Sequence, residues 1–237
     1  MVNEKMVDYK MNYPDILYED NHLIAVNKRA GELVQVDKDC NESLEESVKQ
    51  LIKARDDKPF NVFLGVPHRV DRPVSGVVIF AKTSKALTRL NEMFRQGEIR
   101  KTYHAIVKIR PPKDEDLLTH YLVRNEKQNK SYANANPVPN GKESRLRYRL
   151  IGASDNYFLL EVELLTGRHH QIRCQLSKIG SPIKGDLKYG FARSNPNGGI
   201  SLHAHRAEFI HPVSKQNIEI TAPYPSGDIW GQFIFKN

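Results

Sequence analysis

His68-Arg69-Val70-Asp71-Arg72-Pro73-Val74-Ser75-Gly76-Val77-Val78-Ile79-Phe80-Ala81-Lys82 is the stretch on which the reading of the chain turns. Its second half is a continuous apolar run behind a Ser-Gly turn, the pattern of a buried strand. Its first half sets one carboxylate, Asp71, between Arg69 and Arg72. A solitary acid on a loop against a rigid strand has two readings. It can form an ion pair with Arg69 or Arg72, or it can be a nucleophilic carboxylate set among cations. Spacing alone leaves both open.

Upstream, residues 16–22 and 23–28 read as two short strands around an Asp-Asn turn, after a polar lead-in over 1–12. Residues 41–56 read as a helix, with Ser43 and Glu46 at capping-box spacing and Leu44, Val48, Leu51 and Ile52 on one face. Downstream, Ser84 is expected to cap a helix carrying Leu87, Leu90 and Phe94 on one face and closed by Gly97. Strands are expected over 98–107, 117–123, 157–165, 201–210 and 217–222. The polar segment 125–144 reads as a flexible excursion within the domain. Arg145-Leu146-Arg147-Tyr148-Arg149-Leu150 alternates, which puts three arginines on one strand face, either a solvated outer surface or a track for phosphates. Strands outnumber helices without regular alternation, so the fold class is α+β with a large, mostly antiparallel sheet.

A second chemistry-bearing stretch is Thr166-Gly167-Arg168-His169-His170-Gln171-Ile172-Arg173. It passes from a strand through a glycine turn into a helix that Gly180 stops. Arg168 and the histidines are thereby brought to a helix N-terminus, where backbone N–H groups favour anions. Arg173 follows about a turn later, placed to reach a carboxylate or a phosphate, or to stand in solvent. Tyr103 opens a strand, where an aromatic is either core or a platform for a base drawn out of RNA.

The 237 residues carry 36 Lys and Arg against 28 Asp and Glu, a formal charge of +8, which favours a polyanion such as nucleic acid and is equally compatible with simple solubility. Cys40 and Cys174 match no metal or redox spacing and read as two free thiols in a reducing compartment. With neither a secretory h-region nor an apolar run of membrane-spanning length, a cytoplasmic protein is expected. His169 with His170, and His203 with His205, invite a metal, yet no Cys or carboxylate accompanies them at a familiar ligand spacing. Gly-x-Ser-x-Gly and phosphate-cradling glycine motifs are missing as well.

Taken together, the 68–72 motif with Ser75 and Gly76, Lys101-Thr102-Tyr103, the 166–173 motif, and Gly185-Asp186 with Tyr189-Gly190 resemble the RluA-type pseudouridine synthases. The opening segment 16–31 and the closing segment 202–212 resemble the ends of that family's catalytic domain, in the same order. The resemblance implies a mixed, mostly antiparallel sheet flanked by helices, with a central cleft, forming a single catalytic domain over 13–237. It implies isomerisation of uridine to pseudouridine in a ribosomal or transfer RNA stem-loop, without cofactor or metal. Asp71 matches the catalytic aspartate, Tyr103 the tyrosine that packs on the target base and assists the proton step at C5, and Arg173 the arginine that pairs with the aspartate. Arg69 matches the residue that helps replace the flipped nucleotide. Arg72, Arg168, His170 and Ile172 complete the expected substrate-binding set. A monomer with no obligatory protein partner is expected, and the catalytic domain is expected to engage RNA without an S4-type domain.

The sequence departs from the family's pattern at Val70, Val74, Arg29, Glu32 and His169, all beside the expected site. These changes bear on substrate choice. The alternative, a non-catalytic RNA-binding module on the same fold, is expected to lack part of the Asp-Tyr-Arg set, and a metal-dependent nuclease finds no ligand set here.

Overall fold

The computed structural model describes residues 14–36, 42–227 and 229–233. The expected lead-in over 1–12, Cys40 and the expected helix start at Asn41 lie outside them. In chain order the elements are β1 (Asp15–Glu19), β2 (Leu23–Lys28), α1 (Leu44–Arg55), β3 (Ser75–Ala81), α2 (Ser84–Gln96), β4 (Arg100–Val107), β5 (Glu115–Asn125), β6 (Lys130–Asn134), β7 (Lys142–Ala153), β8 (Phe158–Leu164), α3 (Gln171–Lys178), β9 (Leu202–Ile210) and β10 (Asn217–Thr221). The strands form one sheet in the order β1-β2-β3-β9-β4-β8-β7-β5-β6, with β10 also on β9. Every pairing is antiparallel except β3 with β9. This is the mixed, mostly antiparallel α+β sheet that the resemblance implies.

The apolar run of β3 is explained by burial on both faces. Val78 and Phe80 pack with Ile24, Val26, Tyr103 and the α1 residues Leu44, Val48 and Ile52, together with Ile172 and Leu176 of α3. Val77, Ile79 and Ala81 pack on the other face with Ala86, Leu90 and Met93 of α2. Helices on both sides leave no polar face for the strand to show. Each fully buried large side chain contributes about 1.5–3 kcal/mol of transfer free energy. Gly76, the second residue of this strand, has φ +112°, and a Cβ there would stand 2.2 Å from the Ala204 carbonyl oxygen, so β3 and β9 approach each other only through glycine.

Ser43 caps α1 as expected, accepting from Glu46 N–H at 3.3 Å. The cap of α2 is Thr83 rather than Ser84: its extended backbone lets Oγ1 accept from Ala86 N–H at 3.2 Å, and Ser84 becomes the first helical residue. Gly97 closes that helix in the left-handed conformation.

The expected flexible excursion over 125–144 is corrected. Residues 125–130 form a tight turn between β5 and β6, which pair from Tyr121 with Asn134 to Asn125 with Lys130, and β7 already begins at Lys142. Asparagine chemistry builds the turn: Asn125 Oδ1 accepts from Gln128 N–H at 3.0 Å and Asn129 sits at φ +44°. The polarity that suggested disorder belongs to a solvated edge hairpin.

The arginine face of β7 is the solvated outer surface. Arg149 pairs with Glu161 of β8 at 3.0 Å, Arg145 with Glu143 at 3.4 Å, and neighbouring Arg100 with Glu163 at 2.9 Å.

Candidate active site

Asp71 lies on the loop entering β3, and that loop is fastened from beneath. Lys28 ends β2 with no exposed surface, and its Nζ donates to the carbonyls of Arg29 (3.0 Å), Arg72 (3.0 Å) and Val74 (2.6 Å). Burial pushes its pKa down to about 8, the expected direction for an ammonium held away from water. Gly31 N–H donates to the Arg72 carbonyl at 2.7 Å and Ile200 N–H to the Pro73 carbonyl at 3.0 Å. Arg72 turns its own Nε to the Gly31 carbonyl at 2.9 Å. The flanking arginine therefore serves the loop's geometry, and Asp71 finds its cation elsewhere.

That cation is Arg173. Its Nη1 lies 3.2 Å from Asp71 Oδ2, while Nε and Nη2 grip Asp186 at 2.7 and 2.9 Å. Arg173 is 5% exposed and Asp186 1%. Burial alone would disfavour the guanidinium charge, but the two-point bond to Asp186 outweighs it and the arginine's pKa is raised. The Tyr189 ring lies 5.1 Å from the guanidinium carbon and helps fix its plane. Asp186 is itself positioned by Gly185, at φ +87°, where a Cβ would meet the Asn195 side chain at 2.7 Å.

His170 precedes α3 in a left-handed conformation, φ +52°. Its Nδ1 is 3.0 Å from the Tyr189 hydroxyl and its Nε2 3.6 Å from Asp71 Oδ2. The Tyr189 oxygen already accepts from Ser131 N–H at 2.9 Å, so its single proton goes to Nδ1. Nε2–H then faces Asp71. Burial, reinforced by the Arg173 charge, pushes the imidazole pKa down to about 2, so the ring is neutral. Tyr103, on β4, is buried in the same core face, and burial followed by the nearby Asp71 carboxylate drives its phenol pKa upward. The phenol stays protonated and can hold or pass a proton.

Asp71, Tyr103, His170 and Arg173 are thus brought together. Arg69 is exposed and borders a cleft of about 380 Å³ lined also by Leu33, Gln35 and Glu45. Arg168 is exposed at the rim, its Nε 3.4 Å from the Glu143 carbonyl. Ile172 packs in the core beneath the site, at 4% exposure. The start of α3 is satisfied internally, since Gln171 Oε1 accepts from Arg168 N–H at 3.0 Å and from the Thr166 hydroxyl at 2.8 Å. Among the described residues, no group of three or more His, Cys, Asp or Glu side chains is arranged to hold a metal. Sequence reasoning missed Lys28, Asp186 and Tyr189 as working parts. The signals available were a lysine ending an apolar strand and a glycine-preceded acid flanked by Lys184 and Lys188.

A family model for RNA pseudouridylate synthase matches residues 22–178. The chain belongs to this family. As a pseudouridylate synthase family member it is 34% identical over 216 residues to the ribosomal large subunit pseudouridine synthase C of Buchnera aphidicola, covering 88% of this chain and 66% of that protein. It is 35% identical over 230 residues to the tRNA pseudouridine synthase C of Salmonella typhimurium, covering 88% and 84% of the two. The chain therefore spans slightly under two thirds of the length of the Buchnera relative. The structure of human RNA pseudouridylate synthase domain containing 4 superposes with a TM-score of 0.76 at 21% identity, covering 90% of this chain and 89% of that one, which establishes the shared fold.

Proposed function

We propose that this chain isomerises uridine to pseudouridine in structured RNA, with Asp71 as the reacting carboxylate. The observation that carries the reading is the setting of Asp71 Oδ2, 3.2 Å from a buried guanidinium and 3.6 Å from a neutral imidazole, beside a phenol kept protonated. The reaction breaks the N1–C1′ bond of uridine, turns the base and forms a C5–C1′ bond. The C5 proton leaves and N1 gains one, so no atom or electron is lost and no cofactor is required. A carboxylate suits the task because it can attack and then depart. Arg173 orients it, and Tyr103 packs on the base and assists the proton step at C5. The target base must first leave its stack, at a cost of a few kcal/mol. Phosphate contacts from a chain of charge +8 offset that cost, and Arg69 takes the vacated place.

In this reading residues 13–237 act as one catalytic domain, a monomer working in the cytoplasm on ribosomal or transfer RNA. Among the described residues no helix is long and apolar enough to cross a membrane. The deciding experiment maps pseudouridine in both RNA classes from cells with and without the protein, and from cells carrying Asp71→Asn. Sites that vanish in the deletion and are not restored by Asp71→Asn support the proposal; maps identical in all three overturn it.

A further inference from the structure

We infer that the tip of the β5–β6 hairpin is a second RNA-contacting surface, held at a fixed distance from the reaction centre. The inference rests on the RNA-modifying reading above and says where a strand flanking the target nucleotide lies. Four cations gather at this tip: Arg124, Lys127 and Lys130 on the hairpin, and Lys188 on the short 3-10 turn Leu187–Tyr189, whose Nζ donates to the Asn129 carbonyl at 3.0 Å. Among the described residues no carboxylate lies within ion-pair distance of any of them. Glu126 is the single acid in the turn 125–130. The contrast with the outer face of β7 is direct, because there Arg145 and Arg149 are matched by glutamates.

Aromatic surface is interleaved with this charge. Tyr132 is 44% exposed, and Lys130 Nζ stands 5.5 Å from its ring centre. Unpaired cations beside an open aromatic ring are what a nucleic-acid strand uses, phosphates on the charges and a base on the ring.

The hairpin is also bolted to the site. Ser131 Oγ is 2.8 Å from the His169 carbonyl and 2.9 Å from its Nδ1, and His169 Nε2 is 3.0 Å from Asn129 Oδ1. The His169 ring stacks on His170 with centroids 3.7 Å apart. Ser131 N–H bonds the Tyr189 hydroxyl that in turn meets His170, and the Cys174 thiol donates to the Ser131 carbonyl at 3.2 Å. RNA seated on the tip is thereby registered to Asp71.

The test measures binding of a fluorescein-labelled stem-loop RNA across a salt series, which needs no turnover. For the variant Lys127→Ser/Lys130→Ser, at one exposed and one half-buried position, affinity is expected to fall about tenfold and the log–log salt slope to shrink by about 1.5, the loss of two phosphate contacts. Arg147→Ser/Arg149→Ser, with the same charge change on the outer face, serves as the comparison and is expected to bind within about twofold of wild type. Equal losses in both variants, or no loss in the first, would overturn the inference. As a measurement free of substitution, a 4-thiouridine-substituted stem-loop is cross-linked to the unaltered protein; attachment within 130–134 supports the tip, and attachment confined to peptides of the 66–74 loop counts against it. A wild-type protein that makes no pseudouridine but shows the binding difference would fault the isomerase reading and leave the surface standing.

Discussion

Arg173 spends two of its donors on Asp186, at 2.7 and 2.9 Å, and one on Asp71, at 3.2 Å. Asp186 is therefore the fixed end of the arrangement and Asp71 the end free to leave for substrate. Asp186→Ala should strand a buried guanidinium and destabilise the fold by about 3–5 kcal/mol. Asp186→Asn keeps an acceptor and should unfold much closer to wild type while losing most isomerisation. Denaturant titration and a pseudouridine assay on both variants check this; full activity in Asp186→Asn would show that Arg173 needs no such clamp.

Asp71→Asn should retain stem-loop RNA binding and lose isomerisation by about a thousandfold or more, since the amide is a poor nucleophile. Turnover equal to wild type removes Asp71 from the chemistry.

For Tyr103→Phe only a hydroxyl is lost from a buried ring, so melting should shift by a few degrees at most. The isomerisation rate should drop by about a hundredfold, the usual scale of a lost proton-transfer group. A large melting shift with an unchanged rate would assign the phenol to the core instead.

Lys28→Met leaves the carbonyls of Arg29, Arg72 and Val74 without their shared donor. The Arg72 carbonyl keeps the Gly31 N–H at 2.7 Å and the Arg29 carbonyl the Glu32 N–H at 3.4 Å, so the loss falls on the Val74 carbonyl, at about 1–3 kcal/mol for an unsatisfied buried acceptor. Limited proteolysis should cut within 66–74 faster than in wild type, and activity should fall with it. Protection equal to wild type would argue that the loop stands without its lysine.

Three buried histidines and the half-buried His68 give the protein an acid limit. Burial pushes His170 down to about 2, His68 and His104 to about 3 and His203 to about 4. In the unfolded chain each titrates near its ordinary value of about 6.5. Depressed folded values mean that unfolding takes up protons below that point, so stability is full above about pH 6.5 and falls as the pH drops toward 4. The slope is about 1.4 kcal/mol per histidine per pH unit within that window. Calorimetry at pH 7.5, 6 and 5 should show a falling Tm; a flat profile would mean that these rings are accessible to protons in the folded protein.

The strand-rich sheet was legible because a local pattern encodes it, an apolar run behind Ser75-Gly76. Local pattern left Asp71, Tyr103 and Arg173 with two readings each, and only the resemblance of several ordered motifs singled them out. What stayed hidden depends on partners far along the chain. Arg173 meets Asp71 across 102 residues and Lys28 meets Val74 across 46, separations on which residue spacing is silent. The hairpin turn 125–130 was misread for a different reason, since the polar residues that make a solvated turn are those that also mark disorder. Thr83 outcompeted Ser84 for the α2 cap because either hydroxyl fits the local pattern and one backbone angle decides.

The two-residue parallel pairing of β3 with β9 carries one more consequence, for the order of synthesis. Ser75 bonds His203 across 128 positions, and the Asp71 loop leans on the Ile200 amide. A nascent chain still tethered to the ribosome before residue 200 or so has the acid proposed to react but not the wall behind it. Catalytic competence therefore arrives late and all at once, and prematurely terminated copies of the protein should be inert towards RNA rather than loosely active on it.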